Sequence, residues 1–444
     1  MPPCDCEPPL SFQPGTATGP ADPVSFSAAF RYWARLGCVN FGGPAGQIAM
    51  LHRDLVVKRR WISEEHFLRA LNFCMLLPGP EATELAIYVG WLLHGTAGGV
   101  AAGVPFVLPS VLLLLGLSWA YAAHGSLPAV AGVLSGLKPV VVAVVAFAVW
   151  RIGRRALKRP LDAAIATAAF LALSFFHAPF PLVIAAAAAA GALGKPAAGA
   201  GSEVRTDQDA AAKARLPGTG RNIRLALVFC GLWAAPLAAV SSVLGWNGTH
   251  ARAYRFFSQA AFVTFGGAYA VLTYVVQAAV GQFHWISRAQ AVDGLALAET
   301  TPGPLIMVLQ FVGYLAGWQF SDGLSRGVSA ALAAGLTTWA TFLPCFFFIL
   351  LGAPFIERVS ERGRLNAALS GITAAVVGVI LNLAVVFAAG VLFPRGLSGG
   401  PDPFSSLVAA AALAVLMAFD MEAAWVVLAG GVAGLSRTLV AGGP

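Results

Sequence analysis

Long apolar stretches recur along this chain, and their length decides which folds are open to it. A helix needs roughly 20 apolar residues to cross the ~30 Å hydrocarbon core of a bilayer. Stretches of this kind are Val100–Tyr121, Leu127–Trp150, Ile223–Gly245, Val328–Gly352 and Leu365–Leu392. Nothing in hydrocarbon can satisfy a free backbone N–H or C=O group, so such segments must be helical. The sequence therefore predicts an all-α polytopic membrane protein.

Charge and motif content narrow the function. Charged residues make up 11% of the chain, which is too little for the surface of a soluble protein. The net charge of +8 lies mostly in loops beside apolar spans, as the positive-inside rule produces, so no nucleic-acid partner is expected. The six cysteines form no CxxC pair, and no hydrolase or nucleotide-binding motif occurs. We predict a transporter rather than an enzyme, with no catalytic residue, metal site or cofactor.

The chain contains an internal repeat. Phe41-Gly42-Gly43 recurs as Phe265-Gly266-Gly267, and Pro78-Gly79-Pro80 recurs as Pro302-Gly303-Pro304, each 224 residues later. Further on, Ser135-Gly136 recurs as Ser370-Gly371 after 235 residues, which indicates a modest insertion in the second copy. The repeat is predicted to span about residues 25–155 and 249–390.

Loop charge predicts that the two copies have opposite orientations in the membrane. In copy one, the loops 53–60 and 151–159 are rich in Lys and Arg, whereas the loop 122–127 has neither. In copy two, the matching loops 281–290 and 393–403 hold one basic residue each, and the loop that matches 122–127 holds three. Because basic loops stay in the cytoplasm, the copies are inverted repeats.

The same reasoning predicts re-entrant hairpins. Both basic loops of copy one can face the cytoplasm only if Phe67–Leu93, which is broken at Pro78-Gly79-Pro80, enters the membrane and returns. Proline removes a backbone donor and glycine permits a sharp reversal. Phe26–Val56, which is broken at Phe41-Gly42-Gly43-Pro44, is predicted to be a second hairpin.

The remaining segments complete the predicted organisation. Residues 1–24 form a disordered cytoplasmic tail, 25–193 the first transporter repeat with accessory helices, 194–222 a flexible basic cytoplasmic linker, and 223–444 the second repeat with accessory helices. We expect a multi-pass protein of a bacterial inner membrane with its N-terminus in the cytoplasm.

The broken helices are the predicted substrate site. Irregular backbone at membrane depth is tolerated where it lines a cavity, and the N-terminal ends of half-helices attract anions. The alternative is that the breaks are kinks that only pack neighbouring helices. The predicted substrate-binding and translocation residues are Gly42, Gly43, Pro44, Gln47, Asn72, Pro78, Gly79, Pro80, Glu81, Glu84, Lys138, Gly266, Gly267, Thr300, Thr301, Pro302, Gly303 and Pro304.

Copy one alone carries three ionisable side chains at these depths. Glu81 and Glu84 share one face of the helix after Pro80, where they either complement the helix dipole or carry a proton. Lys138 lies too deep to reach the surface easily, so it either acts on substrate or protons or pairs structurally with Glu81 or Glu84. In copy two, Thr300 and Thr301 are predicted to help coordinate the substrate.

The motifs resemble those of the chromate transporter (CHR) family. Phe41-Gly42-Gly43-Pro44, Trp61 and the run from Leu71 to Ala82 are similar to its signatures. The second set, at 265–268 and 301–304, is similar to the second half of its long two-domain members.

The resemblance implies export of chromate across the bacterial inner membrane, driven by an ion gradient and conferring chromate resistance. Its expected partners are chromate or a sulfate-like oxyanion, a coupling ion (a proton) and the lipid bilayer. A transporter of sulfate or another small anion is the alternative, and a homodimer is left open. An enzyme acting on lipid head groups would need a nucleophile or metal cluster that the sequence does not offer.

Overall fold

The computed structural model describes residues 24–41, 43–75, 77–125, 127–193, 219–264, 268–355, 363–419, 421 and 423–441. Over these residues every regular element is a helix, as predicted. The α-helices are α1 Phe26–Val39, α2 Gly43–His52, α3 Glu64–Cys74, α4 Glu81–His124, α5 Pro128–Ala156, α6 Pro160–Ser174, α7 Phe180–Leu193, α8 Thr219–Leu244, α9 Thr249–Phe262, α10 Ala268–Gln277, α11 Arg288–Thr300, α12 Val308–Gln319, α13 Arg326–Gly352, α14 Gly363–Leu392, α15 Pro403–Ala418 and α16 Ala423–Ala441. Short π-helical turns follow α2 and α10, and a 3₁₀ turn, Leu305–Met307, precedes α12.

Six of the described helices are long and apolar enough to cross a membrane. They coincide, to within two residues at an end, with or include all five of the long apolar stretches in the sequence, and they add the segment Ala423–Val440. The chain is therefore a multi-pass membrane protein. Within this set, α8 has the fewest buried residues, as expected for a helix that largely faces lipid.

Helix α4 is two helices joined by a tight reversal. His94 and Gly95 have non-helical backbone angles, and Gly95 has a φ of 62°, which favours glycine. An added Cβ on Gly98 would collide with the carbonyl oxygen of Gly90. In a straight helix those residues would be about 12 Å apart, so residues 81–93 and 96–124 run antiparallel. In copy two a loop, residues 320–325, makes the same reversal between α12 and α13, and the insertion lies in this loop and the adjoining helix ends.

The predicted hairpin at Pro78-Gly79-Pro80 is present. Helix α3 has 11 residues and the first part of α4 spans residues 81–93, so both fall short of ~30 Å at 1.5 Å per residue. His66 Nε2 lies 2.9 Å from the hydroxyl of Tyr88, which places the two helices side by side and antiparallel. The Pro-Gly-Pro segment is therefore the tip of a hairpin.

The helices α1 and α2 form the second predicted hairpin, in which α1 ends at Val39 and α2 begins at Gly43. The start of α1 lies beside the reversal in α4, since His94 Nε2 is 2.8 Å from the carbonyl oxygen of Val24 and its ring meets Phe26 edge-on at 5.4 Å. After the chain has returned through α2, Trp61 lies beside Tyr32 of α1, with ring centroids 5.1 Å apart. Both hairpins of copy one therefore enter from the same end of the molecule.

The repeat is longer than the shared tripeptides indicated. Helices α6 and α7 begin at Pro160 and Phe180, and α15 and α16 begin 243 residues later, at Pro403 and Ala423. Copy one thus comprises α1–α7 and copy two α9–α16, with α8 between them. Of the predicted tail, residues 1–23 lie outside the described residues. So do residues 194–218 of the predicted linker, whose last four residues belong to α8.

The copies exchange their terminal helix pairs. Helices α6 and α7 pack on α14 of copy two, whereas α15 and α16 pack on α5 of copy one, and α5 and α14 contact each other. At the crossings, Gly136 of α5 lies against Gly430 and Gly434 of α16. At the equivalent positions, Gly371 of α14 lies against Ala187 and Gly191 of α7. Such reciprocal contacts are what a two-fold relation between the copies requires; their inversion across the membrane stays a prediction.

Candidate functional site

The four predicted breaks meet at one point. A small cavity is lined by Pro44, Gln47, Pro80, Glu81, Ala82, Ala268, Pro304 and Leu305. Every one of the four helix starts contributes to it, two from each copy. Copy two has Ala268 where copy one has Pro44, and α10 nevertheless begins there.

Hydrogen bonds tie the breaks of one copy to those of the other. The backbone N–H of Gly79 donates to the carbonyl oxygen of Thr264 at 3.0 Å, and that of Gly303 donates to the carbonyl oxygen of Asn40 at 2.7 Å. These two bonds occupy equivalent positions in the repeat. The Gln47 amide also donates to the carbonyl oxygen of Gly303, at 2.5 Å. The hairpin tips therefore hold one another, in addition to packing on their neighbours.

Two glycines at the hairpin tips have backbone angles that favour glycine. Gly43, at the start of α2, and Gly303 have φ values of 65° and 120°, which side chains with a Cβ rarely adopt. A Cβ on Gly303 would also lie 2.5 Å from the Cβ of Ser110. Pro78 and Pro80, which flank Gly79, are buried, and so are Pro302 and Pro304, which flank Gly303.

The cavity between the tips has a volume of about 10 Å³. That is room for roughly one water molecule. A tetrahedral oxyanion is several times larger, so the tips must separate before one can bind among them. Glu81 is partly exposed and lines this cavity, at the first residue of α4.

Glu84 lies one turn further along α4 and is fully buried. Within the described residues, neither of its carboxylate oxygens has a hydrogen-bond partner. The carboxylate packs against Gly79 at the hairpin tip, and Cys345 Sγ borders the same glycine. A carboxyl group in such surroundings is stable only with a proton on it or a cation beside it. Glu84 thus has the environment of a proton-binding group.

The polar groups of copy two are already bonded. The hydroxyls of Thr300 and Thr301 donate to the carbonyl oxygens of Leu297 and Ala298, at 2.8 and 2.9 Å. Their hydroxyl protons are therefore engaged within α11 in this conformation. The neighbouring Glu299 is buried and accepts a hydrogen bond of 2.8 Å from the Tyr269 hydroxyl.

Lys138 pairs with Asp293, so the interpretation that it pairs with Glu81 or Glu84 is wrong. Lys138 Nζ lies 3.3 Å from Asp293 Oδ1, and the Tyr121 hydroxyl donates to Asp293 Oδ2 at 2.9 Å. The lysine and the aspartate come from different copies. Asp293 was missed, although an acid in an apolar segment is itself a signal of function.

The Lys138 pair borders a second, much larger cavity of about 920 Å³. We call it the vestibule. Its walls come from the end of α4, the start of α5, the start of α11 and the ends of α12 and α14, and they include Tyr121, Lys138, Arg288, Gln290 and Asp293. Apart from the end of α12, these helix ends adjoin the loops 122–127, 281–290 and 393–403, which loop charge predicts to be on the outer face.

Some predicted site residues are not at either cavity. Asn72 is exposed on α3 and lines neither the cavity between the tips nor the vestibule. Gly42, Gly266 and Gly267 lie outside the described residues.

Comparison with known proteins decides the family. The family model described as Chromate transporter matches residues 27–192 and 251–435, which is most of both copies. The chain belongs to the chromate transporter family. It is 34% identical over 437 residues to the Chromate transport protein of Pseudomonas aeruginosa, with 96% of each chain covered. It is also 29% identical to the Chromate transport protein of Cupriavidus metallidurans, covering 80% of this chain and 81% of the relative.

A third relative of the chromate transporter family is the Probable chromate transport protein of Synechococcus elongatus. It is 28% identical, with 80% of this chain and 83% of the relative covered. No solved structure matches this chain.

Proposed function

We propose that this chain is a secondary transporter that exports chromate across the bacterial inner membrane, driven by an ion gradient, and thereby confers chromate resistance. The observation that carries the proposal is the meeting of four helix starts at one point between the two copies. The names of the relatives supply the substrate: two are called Chromate transport protein and one Probable chromate transport protein.

Helix starts suit this substrate electrostatically. Each one offers free N–H groups and about half a positive charge. Four of them together supply roughly two positive charges, which matches a tetrahedral dianion such as chromate. Sulfate has the same charge and a similar shape, so we expect it to compete. The Gln47 amide, which now bonds to Gly303, is the nearest side-chain donor that opening of the tips would free.

The membrane potential favours the proposed direction. Moving one charge through 100 mV is worth about 2.3 kcal/mol, so a dianion that leaves a cell with a negative interior gains about twice that amount. If Glu84 carries one proton inward for each dianion that leaves, the membrane potential and the pH gradient both drive the export. The coupling ion that we propose is therefore a proton, bound at Glu84.

Inside-out membrane vesicles provide the test. We expect labelled chromate to accumulate in them, sulfate to reduce the uptake and an uncoupler to abolish it. Replacing Glu84→Gln should make chromate uptake independent of the pH gradient, because an amide side chain does not take up and release a proton as a carboxylate does. Glu65→Gln, which changes an exposed acid on α3, is the matched control and should behave as the unmodified protein.

Each outcome bears on a different part of the proposal. Absence of chromate uptake, or uptake that sulfate does not reduce, would overturn chromate as the substrate. Proton dependence that survives in Glu84→Gln would overturn the role of Glu84 alone.

A further inference from the structure

The vestibule carries more positive than negative charge. The charged residues that line it are Lys138, Arg288 and Asp293. With one acid against two bases, its field attracts anions and repels cations. The vestibule is also large enough for a hydrated oxyanion, unlike the cavity between the hairpin tips.

Lys138 and Asp293 are unequal partners. The Asp293 side chain is 3% exposed; one oxygen accepts the Tyr121 hydrogen bond and the other lies in the ion pair with Lys138, whereas the Lys138 side chain is 30% exposed. An ammonium group has three donors, and within the described residues Asp293 is the one partner that Lys138 has. The remaining donors of Lys138 are free to face the vestibule. The aspartate is therefore part of the wall, and the lysine is the group that a solute can reach.

We propose that Lys138 binds the transported oxyanion near the outer face, and we call this binding site the outer station. The Asp293 carboxylate competes with the anion for the Lys138 ammonium and so releases the anion into the vestibule. The inference rests on the proposed function, in which the cargo is a dianion. A bound anion satisfies Lys138 in place of Asp293. When the carboxylate pairs with the lysine again, it displaces the anion towards the outside.

Competition of this kind depends on the proton that Asp293 can bind. The groups that face Asp293 are Lys138 of α5 and Tyr121 of α4, and Arg288 of its own helix lines the same vestibule. A proton on Asp293 neutralises the carboxylate, which then no longer attracts the Lys138 ammonium. Low pH at the outer face therefore strengthens anion binding at this station. A base on the outer face restores the carboxylate and weakens the binding.

The station exists on one side of the molecule. The positions equivalent to Lys138 and Asp293 in the other copy are Thr373 and Arg69. This equivalent pair of positions holds no acid, so the competition applies to release at one face. This asymmetry suits a protein that moves its cargo in one direction.

Chromate-loaded, right-side-out vesicles test the proposal through inhibition from the outer face. The measurement is the external sulfate concentration that halves chromate efflux, at external pH 6, 7 and 8. For the unmodified protein, we expect this concentration to fall as the external pH falls. Asp293→Asn keeps the shape of the side chain and can still accept the Tyr121 hydrogen bond. It should lower the half-inhibiting concentration at pH 8 by about tenfold and make it independent of pH.

Changes at Lys138 complete the set. Lys138→Gln should abolish the inhibition, and Lys138→Arg should retain it, because the arginine keeps the charge. If Lys138→Gln fails to fold with Asp293 left unpaired, the double variant Lys138→Gln/Asp293→Asn removes both charges and should also show no inhibition. Asp54→Asn is the matched control: it breaks an ion pair with Lys58 outside the vestibule and should leave the inhibition unchanged.

The outcomes separate this inference from the proposed function. Inhibition that persists in the double variant, or Asp293→Asn with unchanged potency and pH dependence, would overturn the station. Chromate efflux that external sulfate never inhibits would also overturn it, while the proposed function stands. Absence of chromate efflux from the unmodified protein would overturn both.

Discussion

The glycine crossings between the copies give a prediction whose size follows from the structure. In Gly136→Ala, the new Cβ would collide with the carbonyl oxygen of Gly430 and lie 2.6 Å from the nitrogen of Gly434. Ordinary contacts of a Cβ are 3.4–4 Å long. Both obstacles are backbone, so α5 and α16 must move apart by about 1 Å and lose packing along their length.

Overpacking of this kind costs about 1–3 kcal/mol, and an alanine in a helix regains about 0.5–1 kcal/mol relative to glycine. We therefore expect Gly136→Ala to lose about 1–2 kcal/mol of stability. Gly371→Ala, at the equivalent crossing, should lose a similar amount. Gly116→Ala is the matched control, because a Cβ there meets nothing within 4 Å. It should be neutral or gain up to about 1 kcal/mol.

Thermal unfolding of the detergent-solubilised protein measures the difference, as the loss of the monodisperse size-exclusion peak after a fixed heating time. Gly136→Ala and Gly371→Ala should melt a few degrees below Gly116→Ala. The double variant should show roughly the sum of the two effects, since the crossings lie apart. If Gly136→Ala is as stable as Gly116→Ala, the close approach of α5 and α16 is not a feature of the protein.

Three further predictions concern the hairpin tips and the loop between α12 and α13. Gln47→Leu removes a hydrogen bond to Gly303 and should cost about 1 kcal/mol of stability and most of the chromate flux; flux equal to the unmodified protein would count against a role for the amide. Gly303→Ala combines a φ of 120° with a clash against Ser110 and should abolish transport in vesicles even where the protein is inserted. Burial alone would raise the pKa of Asp322, but the hydrogen bonds that His250 donates lower it by a larger amount, so the pKa lies below its ordinary 3.8. This carboxylate therefore stabilises the fold above about pH 4, and its contribution is lost as the pH falls below that; Asp322→Asn should lower the melting temperature at pH 7 and reduce its acid sensitivity, and an unchanged profile would refute the linkage.

The sequence alone was sufficient to predict the parts of the fold that the surrounding lipid determines. Apolar length predicted the spans, and Pro and Gly predicted the breaks, because hydrocarbon leaves a backbone few alternatives. The terminal pairs α6–α7 and α15–α16 were not recognised as repeated. Helices that face lipid are constrained by apolarity more than by identity, and a run such as residues 185–190 is alanine alone, so the two pairs share no motif.

The candidate site was predicted less completely, because the two copies meet there and differ there. The repeat predicted which backbone segments would be equivalent, but a pair such as Lys138 and Asp293 has no counterpart in the repeat. Its members come from different copies, and only the packing of α5 against α11 brings them together. The missing partners of Glu84 are equally a property of three-dimensional packing.

The exchange of terminal helix pairs sets an order for assembly during synthesis. Helix α5 of the first copy is covered by α15 and α16, which leave the ribosome after every other described helix. Until then its glycine-lined face, around Gly136, has lipid for a neighbour. The first half is therefore inserted before the last part of the second half can complete its packing. A chain that ended before Pro403 would leave a helix face of the first half, rather than of the second, uncovered.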